Sequence, residues 1–272
     1  MPKRNRVFEM SLDIAADPAS VWKALTEAEE LIRWFPLQAD VKPGPGGRIQ
    51  LSWGELLTGD CNIKIWEPEQ RLQMSWFEPV DGKADPGREL TVDFLIEGMG
   101  GQTTLRLIHS GFGSDDRWDD EYDSISRGWR YELRSLQLYL ERHTGRARQV
   151  ILERLPITGD ADAAWSRVIG KDGQFKIAQL DTLPEGASFS LSLPNDTSTN
   201  ASLLYQLSGK DFAAVLDVLG GGVLRLGLET FTGQPELWFW LASWALGRSE
   251  LGQLMSGWKN NVSASVSARN VA

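Results

Sequence analysis

The pattern that most constrains this chain is a series of short alternating segments followed by one long helical stripe. Residues 7–14 place Phe8, Met10, Leu12 and Ile14 on one face, with polar or charged residues between them. Alternation with a period of two predicts a strand with one buried face. Residues 119–143 instead carry apolar side chains at steps of three and four: Tyr122, Ile125, Trp129, Leu133, Leu136 and Leu140. One long amphipathic helix covering a one-sided sheet predicts a two-layer α+β fold.

The strands between these two elements are also visible in the sequence. Alternating apolar residues predict them over residues 49–53, 63–65, 72–76, 90–96 and 103–109. The pair Asp17-Pro18 predicts a helix start, because Asp caps a helix well and Pro suits its first position. A second short helix is expected over 27–34, and a polar loop over 79–88. The strands together predict an antiparallel meander with one apolar face.

After a short linker over residues 144–149, the same order begins again. Four pairs of residues share one offset, 155 − 12 = 143: Leu12 and Leu155, Ile14 and Ile157, Asp17 and Asp160, Trp22 and Trp165. Strand-like runs follow at 187–193, 201–207, 212–219, 222–231 and 236–246, with a helix over 249–260. We therefore expect two domains, residues 1–146 and 149–272, the second a degenerate copy of the first. A linker this short predicts that they pack together.

Charge and composition exclude several classes of function. The net charge is −9, divided as 19 − 25 = −6 over residues 1–148 and 9 − 12 = −3 over the remainder. Two acidic halves argue against nucleic acid or an anionic membrane as a partner. One cysteine, Cys61, and two histidines, His109 and His143, leave neither a disulfide framework nor a Cys/His zinc site. No signal peptide or membrane span is visible, so we expect a cytoplasmic protein without metal or cofactor.

Several ordered stretches of the first half resemble a known family. They are residues 19–25 (Ala-Ser-Val-Trp-Lys-Ala-Leu), 33–35 (Arg-Trp-Phe), 46–47 (Gly-Gly), 103–112 (Thr-Thr-Leu-Arg-Leu-Ile-His-Ser-Gly-Phe), 128–129 (Gly-Trp) and 139–141 (Tyr-Leu-Glu). This set resembles the START-like (SRPBCC) superfamily and, within it, the family of homologues of the heat-shock-protein-90 ATPase activator. The resemblance implies a helix-grip fold, in which a curved antiparallel sheet wraps round a C-terminal helix, often with a hydrophobic cavity between them.

The candidate site is a set of aromatic residues that the patterns place on inward faces. Trp53, Trp76 and Phe94 lie on the apolar faces of predicted strands, and Trp129 lies on the helix stripe. The resemblance adds Trp34 and Phe35 near the mouth of the cavity, and His109 follows Leu105 and Leu107 on an inward face. Aromatic walls with a few polar groups suit an apolar ligand. The alternative is that these rings fill the core and that His109 makes a structural hydrogen bond.

Three classes of function remain open at this point. The first is non-enzymatic binding of an apolar or amphipathic small molecule in the first domain. The second is a protein partner, as a co-chaperone-like or regulatory module, although the eukaryotic activators join this fold to a different N-terminal domain. The third is a cavity enzyme of the cyclase or hydrolase kind, for which the sequence offers His109 with Glu55 or Asp93. Because no diagnostic spacing joins these residues, the sequence favours a binding protein over an enzyme.

Overall fold

The computed structural model describes residues 5–55, 57–76, 89–178, 180–195, 197–230 and 234–267, without the side chains of residues 117 and 181. The chain divides into two compact units, Met1–Gly145 and Arg146–Ala272. The predicted polar loop over 79–88 lies outside the described residues.

The first unit is an antiparallel sheet of seven strands followed by a long helix. The sheet order is β1-β7-β6-β5-β4-β3-β2, so the first strand pairs with the last strand and the others form a meander. The elements are β1 (Arg6–Ile14), α1 (Pro18–Thr26), α2 (Ala28–Leu31), β2 (Gln38–Lys42), β3 (Arg48–Ser52), β4 (Thr58–Glu67), β5 (Arg71–Ser75), β6 (Thr91–Met99), β7 (Gln102–Phe112) and α3 (Asp119–Leu138), which continues into a π-helical turn, Tyr139–His143.

The start of α1 follows from its capping residue. The Asp17 carboxylate accepts a hydrogen bond from the Ser20 backbone N–H at 2.8 Å, and Pro18 occupies the first turn. Val21 and Leu25 are buried on the inner side of the helix, and Trp22 meets Trp66 of β4 edge-on at 4.9 Å. The predicted start of this helix is confirmed.

Strand β2 is absent from the sequence prediction, and its exposure explains why. Gln38, Asp40 and Lys42 are exposed, whereas Ala39 and Val41 are only half-buried. An edge strand of this kind has no strongly apolar face for the period-two pattern to reveal. The bounds of other strands also differ from the prediction: Trp53 and Trp76 lie just beyond the ends of β3 and β5, and β4 extends on both sides of the predicted 63–65.

The second unit has the same connectivity with one strand fewer. Its sheet order is β8-β13-β12-β11-β10-β9, so again the first strand pairs with the last. The elements are β8 (Gln149–Pro156), α4 (Ala161–Ile169), β9 (Ser188–Ser192), β10 (Ser198–Leu207), β11 (Asp211–Leu216), β12 (Gly222–Glu229), β13 (Glu236–Ser243) and α5 (Arg248–Ser267). Helix α4 also begins at an aspartate, because Asp160 accepts from the Ala163 N–H at 2.7 Å.

The predicted α+β class is confirmed, with an antiparallel sheet and a C-terminal helix in each half. Helix α5 is longer than the predicted 249–260. Polar residues such as Asn260 and Asn261 weaken its apolar pattern, but the buried side continues through Val262 and Val266. The origin of the second unit as a copy of the first, and the packing of the two domains together, stay predictions.

Candidate functional site

The centre of the candidate site is Trp129, which α3 directs onto the sheet. Its side chain is buried, and its ring meets Phe94 of β6 edge-on with centroids 5.8 Å apart. Two further rings, Phe35 and Trp76, lie with their centroids 5.2 Å from that of Trp129. The helix stripe and the inward face of the strands therefore meet at one aromatic residue.

Phe35 extends this group towards the segment that follows α2. It stacks on Trp34 at 4.9 Å and meets Trp53 edge-on at 5.1 Å. Trp34 is fixed on two sides: its Nε1 donates to the Ala24 carbonyl at 2.8 Å, and its own carbonyl accepts from Ser135 Oγ at 3.0 Å. Trp34 has 0% of its surface exposed, so it packs against Phe35 on the interior side and does not itself reach solvent.

His109 is the polar member of the group. It lies in β7 between Phe8 of β1 and Val92 of β6, and it is 0% exposed. The Trp129 Nε1–H donates a hydrogen bond to His109 Nδ1 at 2.8 Å. The His109 ring also packs against the rings of Trp76 and Phe112, whose centroids lie 5.5 Å and 4.8 Å from its own. The histidine is thus enclosed by rings and held by one of them.

The hydrogen bond from Trp129 determines the protonation state of His109. Because Nδ1 accepts, it carries no proton, and burial lowers the pKa of His109 from 6.5 to about 3, so the ring is neutral at physiological pH. The one proton of a neutral imidazole must then be on Nε2. This Nε2–H is buried and has no hydrogen-bond partner among the described residues. A buried donor without an acceptor destabilises the fold that contains it.

We call the seven predicted site residues the aromatic cluster: Trp34, Phe35, Trp53, Trp76, Phe94, His109 and Trp129. They form one connected set of ring contacts with centroids 4.9–6.3 Å apart. Trp53 and Trp76 are half-buried, whereas Phe94, His109 and Trp129 are buried. The cluster therefore runs from the protein surface to the interior. That these residues line a ligand cavity stays a prediction.

Phe112 is a neighbour of His109 that the sequence did not reveal. Its ring also contacts Trp118 at 6.1 Å and Tyr122 at 5.2 Å. Strict alternation after His109 would place Phe112 on the opposite face, but the register of β1 with β7 shifts between Arg6 and Phe8. Gly111 permits the shift, since its φ is +101° and an added Cβ would lie 2.4 Å from the Glu89 carbonyl oxygen. Gly111 was the one signal in the sequence that could have indicated this register shift.

The acids considered for an enzyme do not join His109. The Asp93 carboxylate accepts hydrogen bonds from Arg71 at 3.0 and 2.7 Å, and its neighbours Val92 and Phe94 are the residues that face inward. Glu55 is exposed. Within the described residues no three His, Cys, Asp or Glu side chains converge as metal ligands, and no helix combines the length and apolarity needed to cross a bilayer.

These features define a class of protein. A curved antiparallel sheet closed by a C-terminal helix, with rings between them, is the helix-grip arrangement of START-like proteins. Residues 15–141 match the family model described as "Activator of Hsp90 ATPase homolog 1-like protein". The first domain is thus similar to this family over most of its length, as its sequence motifs predicted. No curated protein is similar enough to the chain to count as a relative.

Many solved structures are similar to parts or all of the chain, and three of them illustrate this. Protein MLL2253 from Mesorhizobium loti is 28% identical, covers 51% of this chain and 99% of its own, and has a TM-score of 0.44. The Aha1 dimer from Colwellia psychrerythraea is 20% identical over 52% of this chain and 99% of its own, with a TM-score of 0.43. DynU16, a protein in the dynemicin biosynthetic locus, is 18% identical over 97% of both chains, with a TM-score of 0.44.

Proposed function

We propose that the first domain binds an apolar or amphipathic small molecule against the aromatic cluster. The observation that carries this proposal is the continuity of the cluster from half-buried rings, Trp53 and Trp76, to a buried histidine with an unused N–H. Ligand sites in proteins combine apolar and aromatic walls with a few placed polar groups. A core that served stability alone would gain nothing from a buried donor without an acceptor.

The proposed function is binding without covalent chemistry. General acid–base catalysis needs a titratable group whose pKa lies near the working pH. Burial lowers the pKa of His109 to about 3, so the ring is neutral at physiological pH and far from the range that suits a general base, and Asp93 is paired with Arg71. The family's tendency to hold hydrophobic ligands agrees with this reading.

The test is to compare the freshly purified protein by native and denaturing mass spectrometry, and then to titrate it with 2-acetylnaphthalene as a defined aromatic probe. Trp76→Leu removes a half-buried ring of the cluster and should weaken probe binding about three- to tenfold, since aromatic pairs contribute about 0.5–1.5 kcal/mol beyond burial. Trp238→Leu removes a half-buried ring of the second domain and is the matched control. Equal loss in both variants, or no binding by the wild type, contradicts the proposal.

Binding of a protein partner is the second candidate function, and the description of the matched family favours it. Addition of the full chain to Hsp90 tests it directly. An increase in the ATPase rate supports a co-chaperone function, and an unchanged rate at saturating chain removes it. Both halves are acidic, with a total net charge of −9, which suits a basic partner surface. Fractionation of cells would check the proposed cytoplasmic location.

A further inference from the structure

We infer that His109 gives the site a preference for ligands that carry a hydrogen-bond acceptor, such as a ketone or ether oxygen, on an otherwise apolar aromatic body. This inference rests on the proposed function and specifies the chemistry of the molecule bound. The group that makes the selection is the Nε2–H of His109, which has no partner among the described residues.

The direction of the preference follows from the Trp129–His109 hydrogen bond. Indole nitrogen is a donor only, so the atom it meets at 2.8 Å must accept. Nδ1 is therefore the unprotonated nitrogen, and Nε2 carries the proton and presents a donor. The same assignment makes Nε2 unsuitable as a metal ligand, because a metal needs its lone pair.

The surroundings of His109 explain why the acceptor must come from a ligand. The ring is fully buried, and its ring neighbours are Trp76, Phe112 and Trp129, which offer no carbonyl or carboxylate oxygen from their side chains. Trp76 is half-buried and its ring centroid is 5.5 Å from that of His109. An aromatic molecule that packs against Trp76 would thus bring a substituent within reach of His109.

The proposed hydrogen bond forms between two buried groups, so its effect on affinity should be measurable. The net free energy of an ordinary neutral hydrogen bond corresponds to about a tenfold change in Kd, because about 1.4 kcal/mol equals a factor of ten. Ligands with a carboxylate are disfavoured relative to ketones, since the neutral histidine supplies no charge to offset the burial of an anion.

Two probes of nearly equal shape test the inference. 2-Acetylnaphthalene carries a carbonyl oxygen where 2-ethylnaphthalene carries hydrogen atoms. Their Kd values are measured for the full-length wild type, His109→Phe and His109→Gln, after circular dichroism has shown that each variant is folded. The ratio of the two Kd values should change about tenfold between wild type and His109→Phe, and His109→Gln, which retains an N–H donor, should recover part of the change. Because both probes are measured on every variant, comparing the Kd ratios cancels the effect of their different solubility in water.

The outcomes separate the inference from the proposed function. If wild type and His109→Phe show the same ratio, the inference is wrong and ligand binding stands. If neither probe binds the wild type, the proposed function fails and the inference fails with it. Nitrogen-15 NMR of the wild-type histidine side chains gives an independent check without any substitution. An Nε2-protonated ring whose N–H signal moves with the ketone and not with the hydrocarbon supports the inference, and an Nδ1-protonated ring overturns it.

Discussion

The interiors of the two domains differ at one strand position. His109 in β7 pairs with Phe8, which lies 17 − 8 = 9 residues before the aspartate that caps α1. In the second domain the residue at the same distance before its capping aspartate is Ile151, since 160 − 151 = 9, and its partner in β13 is Leu241. Leu241 is 0% exposed and belongs to a core of mainly aliphatic residues. A polar group in the first domain thus corresponds to an apolar group in the second.

The long helices of the two domains also differ in how each satisfies a buried tryptophan. Trp129 and Trp258 each lie ten residues after the first residue of a helix, Asp119 and Arg248 respectively. The Nε1–H of Trp129 donates to the His109 side chain at 2.8 Å, whereas that of Trp258 donates to the Ser192 backbone carbonyl at 3.3 Å. Trp258 is therefore satisfied by backbone and needs no polar side chain as its partner.

This comparison indicates how one architecture can serve two purposes. In the second domain the nitrogen of Trp258 is satisfied by backbone, while the buried Nε1 of Trp240 has no hydrogen-bond partner among the described residues. The first domain retains an unused donor at His109, which lowers stability and provides a place for an acceptor. The proposal of ligand binding in the first domain rests on the aromatic cluster around His109, and the predictions below test the comparison between the two interiors.

Leu241→His should have the largest effect, because it places a histidine in the second core without an equivalent of the Trp129 hydrogen bond. We expect a loss of about 4 kcal/mol in the free energy of unfolding, combining lost apolar burial with an unsatisfied polar group. Urea denaturation measures it, with Leu241→Met as a control that should cost less than about 1.5 kcal/mol. A histidine tolerated at little cost would mean that the two interiors are not distinct.

Gly111→Ala should destabilise the first domain by about 3 kcal/mol, since the added Cβ would meet the Glu89 backbone at a φ that side chains rarely adopt. Gly100→Ala is the matched control: its φ is also positive, at +67°, but no atom lies within 4 Å of an added Cβ. We expect about 1 kcal/mol there. Thermal unfolding would distinguish the two, and equal losses would mean that Gly111 does not constrain the placement of Phe112.

Acid should destabilise the first domain through His109. Its folded pKa, about 3, is below the unfolded value of 6.5, so the unfolded chain binds more protons between these pH values. The stabilisation is complete above pH 6.5 and is lost as the pH falls towards 3. Between pH 7.5 and 5 the wild type should lose about 2 kcal/mol more than His109→Phe. Parallel pH profiles for the two proteins would show that His109 is charged in the folded state.

Trp129→Phe and Trp258→Phe should have the smallest effects, about 1 kcal/mol each, because each removes one indole hydrogen bond and leaves a ring in place. They should differ in one spectroscopic property. Trp129→Phe removes the donor that fixes the His109 tautomer, so the nitrogen-15 shifts of that ring should move, whereas Trp258→Phe should leave them unchanged. Movement in both variants would contradict the separate roles of the two tryptophans.

The sequence predicts the α+β class, the start of α1, most strands and the aromatic membership of the cluster, because these depend on period and local capping. It missed β2, whose exposed residues carry no apolar face, and Phe112, whose position depends on the register shift at Gly111. The hydrogen bond between Trp129 and His109 joins residues 20 positions apart on different elements. No local pattern contains this bond, and so the tautomer of His109 could not be read from the sequence.

The unused Nε2–H of His109 has a consequence for the lifetime of the protein in a cell. A molecule that binds only the folded state raises its stability by mass action. The ligand-free chain is then the form most often unfolded and most exposed to proteases, and a change of about 1–2 kcal/mol is enough to alter abundance several-fold. Under the proposed function, the amount of protein would follow the supply of the bound molecule, and the chain would be degraded faster when that molecule is scarce.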